Sequence, residues 1–106
     1  KDFGIHVTIV EPGVYATDFA GSSAVHTAVI PAYNEVKAGF YAAISGMSIG
    51  KPEATVDAML KLVNSDNPPL HFLLGKDVLP AVKQEYGNRL SQWEAWKDVA
   101  TAAHGI

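Results

Sequence analysis

The sequence predicts an α/β fold: the C-terminal part of a doubly wound parallel sheet, with two strands and about three helices present. Three observations lead there. Residues 5–10 and 70–74 are short apolar runs with the composition of strands. The long stretch between them carries helix patterns, and a helical crossover is how parallel strands are joined. Two strands alone cannot form a parallel sheet covered on both faces. Residues 5–10 have the apolar character of an interior strand, so a neighbouring strand is expected outside this chain.

The elements follow in order. Residues 5–10 read Ile-His-Val-Thr-Ile-Val and alternate as a strand does; Glu11, Pro12 and Gly13 are expected to end it, because Pro and Gly interrupt a ladder. Residues 14–30 show no period and read as a long loop or short helical turns. A helix is expected after Pro31, running to Ile44, with Gly46, Ser48 and Gly50 marking its end. Pro52 and Glu53 suit the first turn of the next helix, in which Val56, Met59, Leu60 and Val63 form an apolar face. Residues 64–69 break it, residues 70–74 form the second strand, and Gly75 closes that strand. Asp77 is placed to cap a final helix whose apolar stripe is Leu79, Val82, Tyr86, Leu90 and Trp93. Gly87 predicts a kink or break in its middle, and residues 101–106 a frayed tail.

Composition narrows the function. The 106 residues carry 8 basic and 11 acidic side chains for a net charge of -3. There is no basic run, so neither nucleic acid nor an anionic membrane surface is an expected partner. Cysteine is absent, which removes disulfides and thiolate metal sites and fits a cytoplasmic protein. No stretch approaches the roughly 20 apolar residues of a membrane span. The first residues, Lys-Asp-Phe-Gly, lack the order of a signal peptide and include no initiator Met, so processing or a preceding segment is expected. His6, His26, His71 and His104 are scattered without helical ligand spacing, and no metal site is expected.

Chemistry concentrates where the first strand ends, because ligands of open α/β sheets bind beyond the carboxyl ends of the strands. Gly13 has no side chain, so a flat ring can approach its backbone. The backbone groups of Val14 and Tyr15 can pair with a carboxamide. Thr17 offers a hydroxyl for a phosphate or amide oxygen and can also cap a helix starting at Asp18 or Phe19. Pro12 and Gly13 standing alone would be better read as a simple strand-ending turn.

This segment resembles the last cofactor-contacting motif of the short-chain dehydrogenase/reductase family. There a strand runs into Pro-Gly and a Thr follows after three intervening residues, matched here by Pro12, Gly13 and Thr17, with Asp18 and Phe19 extending the match. Lys51, Pro52, Glu53 and Ala54 look like the start of the family's next helix, and residues 64–75 are similar to the turn and last strand of one of its branches. The resemblance covers about three quarters of the chain. It implies a Rossmann-like domain divided here into residues 1–13 (strand and turn), 14–50 (substrate loop and lid helices) and 51–106 (helix, last strand and C-terminal helix). It further implies hydride transfer between NAD or NADP and an alcohol or carbonyl substrate, with Pro12, Gly13, Val14, Tyr15 and Thr17 at the cofactor and Phe19 in the substrate lid.

The family's Gly-rich phosphate turn and its Ser, Tyr and Lys catalytic set lie upstream of such a motif. No catalytic residue is therefore assigned to this chain, and alone it is expected to bind the cofactor weakly or not at all. Tyr33 and Lys37 have the Tyr-x-x-x-Lys spacing but follow Pro12 and Gly13 instead of preceding them, and read as a solvent-facing lid-helix pair. Apolar residues of the loop region, Val14, Phe19, Val29, Ile30, Phe40 and Tyr41, point to an apolar or mixed carbonyl substrate. The alternative reading is a non-catalytic interaction module. On either reading a homodimer through residues 70–74 and the last helix is expected, because exposed strand edges and apolar faces invite pairing.

Overall fold

The computed structural model of the chain describes residues 3–106; the reading of Lys1 and Asp2 lies outside them. The architecture is α/β. Strand β1 (Ile9–Pro12) lies parallel to β2 (His71–Leu74), Ile9 opposite His71 and Pro12 opposite Leu74. Between the strands come a 3-10 turn (Asp18–Ala20), a second (Pro31–Tyr33) leading into helix α1 (Asn34–Ser45), and a third (Pro52–Ala54) leading into α2 (Thr55–Val63). After β2 come α3 (Val78–Ala95) and α4 (Lys97–Ala102).

The first strand is displaced from its expected position. Pairing starts at Ile9 rather than Ile5 and runs through Pro12 rather than stopping before it. Geometry explains why proline is accepted. The N–H groups of Ile9 and Gly13 donate to the carbonyls of Leu70 and Leu74 at 2.7 and 2.8 Å. Odd-numbered residues therefore turn their N–H groups towards β2. Pro12, at an even position, turns its nitrogen to the opposite edge, where no ladder bond is lost. Ahead of β1, Thr8 reaches the same partner with its side chain, Oγ1 donating to the Pro69 carbonyl at 2.7 Å. Glu11 and His71 meet diagonally across the strands, with Oε2 and Nδ1 3.2 Å apart in an exposed pair.

The helices also depart from expectation in physical detail. In α2, Thr55, Ala58, Met59 and Leu62 are half-buried, whereas Val56, Leu60 and Val63 are exposed. The helix is apolar over a wide arc, and its narrower stripe, Ala58 to Leu62, lies near Pro69 and Phe72. Of the five stripe residues expected on α3 only Val82 is half-buried. That helix runs unbroken through Gly87, contrary to the expected kink. Its i,i+4 bonding continues there, and the Gly87 carbonyl also accepts from Ser91 Oγ at 3.0 Å. The break comes at Trp96, and the region expected to fray is partly ordered as α4, a fourth α-helix, which reaches Ala102.

Nothing lies within 4 Å of where a Gly87 Cβ would stand. Gly87→Ala is therefore expected to stabilise the folded state by about 0.5–1 kcal/mol, since alanine removes backbone entropy without a clash. Urea unfolding of the two proteins at equal concentration checks this; an unchanged midpoint would argue against a continuous α3.

The elements enclose little. Among the described residues no side chain is fully buried, and large apolar groups such as Phe19 (86% exposed) and Val63 (76%) stand in solvent. The accessible surface is 9536 Å², against about 5,700 Å² for a compact monomer of this mass. The Cα radius of gyration is 19.8 Å, where a compact domain of this length has about 13 Å. These elements form an open layer whose apolar faces lack a covering layer among the described residues.

Candidate functional site

The site is built at the carboxyl ends of the two strands. Beyond Pro12 the chain continues past Gly13 and Val14 and meets the segment that precedes α2. Gly50 donates its N–H to the Val14 carbonyl at 2.8 Å, and its own carbonyl accepts from the Ala16 N–H at 2.9 Å. Tyr15 and Gly50 thus form a parallel bridge that closes the neck of the excursion spanning residues 16–49. The Tyr15 ring lies on Gly50: a Cβ there would stand 2.7 Å from Cε1 and 2.8 Å from Cδ1.

The far wall follows β2. Gly75 turns the chain with φ of +119°, a conformation side-chain-bearing residues rarely adopt, and α3 begins three residues later. Asp77 does not cap that helix, as had been expected from its position. Its Oδ2 instead accepts the N–H of Ser48 at 3.2 Å, tying the segment before α2 to the start of α3. The side chain is spent on this longer-range bond, and no side chain caps the helix.

These three stretches, residues 12–15, 47–51 and 75–78, enclose a cleft of about 500 Å³ together with Ala54, Ala81 and Val82. Its lining is mostly apolar, and its size is within the range of small-molecule sites. Lys51 and Lys76 are the cations among its lining residues and Asp77 the carboxylate. Neither lysine has an ion-pair partner among the described residues. Arg89, outside the cleft, is held above its ordinary pKa by the hydrogen bond to Glu85 at 2.8 Å and by that carboxylate's charge.

Of the residues singled out from the sequence, Pro12, Gly13, Val14 and Tyr15 line this cleft; Thr17 and Phe19 do not. Thr17 caps the first 3-10 turn, Oγ1 accepting the Phe19 N–H at 3.4 Å. At Gly13 a Cβ would meet Val78 Cγ2 at 2.9 Å, so the missing side chain makes room for α3. The apolar loop residues are not gathered either. Only Val14 reaches the cleft, while Phe40 and Tyr41 pack edge-on against each other, centroids 5.8 Å apart. Sequence reasoning missed Met47, Ile49, Val78 and Val82. The glycines flanking two of these segments, Gly50 and Gly75, were the signal: both mark places where backbone or ring comes close.

The donor set at this turn suits a carboxamide. The N–H groups of Val14 and Tyr15 donate to no backbone acceptor among the described residues. The Val14 carbonyl holds the Gly50 N–H but retains a second lone pair. Thr17 Oγ1 accepts a bond and still has its proton to give.

Comparisons with known proteins add one relative. The chain is 29% identical over 109 residues to a protein named Oxidoreductase BOA17 from Botryotinia fuckeliana (strain B05.10). The match takes in 95% of this chain, which spans 38% of the length of that curated relative. No family model matches the chain. No solved structure matches it either. No helix among the described residues is long and apolar enough to cross a membrane.

Proposed function

We propose that this chain is the C-terminal part of a cytoplasmic NAD- or NADP-dependent oxidoreductase of the short-chain dehydrogenase/reductase type, with a Rossmann-like sheet completed by residues outside it. The observation that carries the reading is the apolar cleft at the carboxyl ends of two parallel strands, with residues 12–15 as one wall. That is where open α/β sheets bind their ligands. The name of the relative supports the redox class.

The nicotinamide group, when bound, gives or takes the hydride exchanged with an alcohol or carbonyl. The residues here would orient it: the backbone groups of Val14 and Tyr15 would hold its carboxamide, and the Thr17 hydroxyl would donate a further bond. The bridge to Gly50 holds these groups in register, so little ordering remains to be done on binding. Proton transfer belongs to catalytic residues outside this chain. The uncovered strand edge and the exposed face of α3 are the surfaces on which the rest of the subunit and a second copy would pack.

In the full-length protein, Thr17→Ala is expected to weaken cofactor binding about five- to tenfold, the worth of one hydrogen bond, and Thr17→Ser to keep it. Titration of NADH and NADPH followed by fluorescence measures both. Equal affinity in wild type and Thr17→Ala would remove Thr17 from the cofactor site. Absence of binding of either cofactor to the wild-type protein would remove the redox reading altogether.

A further inference from the structure

We infer that the cleft takes a small ligand with an apolar body and one anionic end, so that the substrate class is an apolar alcohol or carbonyl compound that also carries a carboxylate. Calling this ligand the substrate rests on the oxidoreductase reading; its binding does not. Three observations carry the inference.

The first is the division of the lining. Met47, Ile49, Ala54, Val78, Ala81 and Val82 offer apolar side chains, with room for a chain or ring of drug-like size. Burying such a body releases water from both surfaces.

The second is the charge at the lining. Lys51 and Lys76 come from two different walls, and neither is engaged by a carboxylate among the described residues. Asp77, the acid among the lining residues, has Oδ2 turned to the Ser48 N–H. The lining therefore has two cations and one carboxylate, and a ligand carboxylate matches the surplus.

The third is Tyr15. Its ring forms part of the cleft wall and is half-buried, yet its hydroxyl bonds to no protein group among the described residues. A hydroxyl in that position has a donor to spend on a ligand oxygen. The stacked ring on Gly50 fixes where that donor stands.

Three probes of equal chain length separate the contributions: decanoate, decanol and decylammonium, titrated calorimetrically into the full-length protein. Decanoate is expected to bind about tenfold more tightly than decanol, and decylammonium most weakly, in keeping with one charge-assisted contact. In the Lys51→Met/Lys76→Met double variant the preference for decanoate over decanol is expected to vanish while decanol binds as before, which also reports an intact cleft. Equal affinities for the three probes in wild type, no binding of any, or a preference that survives the double variant would each overturn the inference. Cofactor oxidation is scored separately: a decanoate preference without turnover of any carbonyl by NADH or NADPH would refute the redox reading and leave the ligand class standing.

Discussion

Gly75→Val is expected to destabilise the protein by about 1–3 kcal/mol, the cost of forcing a β-branched residue into a backbone region it avoids. The reasoning separates conformation from space. At φ +119° the residue lies well inside the range where only glycine is at ease. Space is not limiting, because a Cβ would meet its nearest neighbours, Val78 Cγ2, the Gly13 nitrogen and the Tyr15 hydroxyl, at 3.5–3.7 Å, ordinary contact distances. Gly75→Ala should therefore lose nearly as much as the valine variant. A packing origin would instead make alanine harmless. Thermal unfolding of the full-length protein distinguishes the two, and an unshifted melting temperature in both variants would show that the turn after β2 is not held as described.

Gly50→Ala is expected to cost a similar amount, about 1–3 kcal/mol, for the opposite reason. Here the backbone is ordinary and space is missing, since the added carbon would stand 2.7 Å from the Tyr15 ring. The ring must swing away, which removes one wall of the cleft and strains the bridge through Val14 and Ala16. The loss should therefore depend on Tyr15. In a Tyr15→Ala background the same substitution should cost well under half as much, a coupling that a double-mutant cycle reads directly. Full additivity of the two substitutions would mean that ring and glycine do not meet.

Much of the fold was legible in the residues, and the part that was not has a common cause. The second strand, α1 and α2 lie between Pro and Gly punctuation whose effect is local, and they stand where the pattern placed them. What failed depended on partners. The start of β1 is set by where β2 can pair, and the alternation of residues 5–10 is blind to that. The tolerance of Pro12 depends on which edge its nitrogen faces, a parity known only once the register is fixed. Asp77 was read as a cap from its place in sequence, but a backbone N–H 29 positions earlier holds its carboxylate. Residues 12–15 were readable as one wall of a site because a strand end and a sharp turn are adjacent in sequence. The opposing wall, residues 47–51 and 75–78, is assembled by tertiary contact, and no spacing announces it.

The neck at Tyr15 and Gly50 has a consequence for how such a protein can change. Residues 16–49 leave and re-enter the sheet end at one point, fastened by two backbone bonds. A chain closed at its base carries an entropic penalty that rises only with the logarithm of its length, so doubling the excursion adds only about 0.6 kcal/mol. Insertions, deletions or exchange within residues 21–46, short of the cleft-lining Met47, Ser48 and Ile49, should thus leave the strands and the cleft undisturbed. Homologous proteins could diversify here by swapping an appendage, and an engineer could graft a foreign equivalent of residues 21–46 without redesigning what lies beneath.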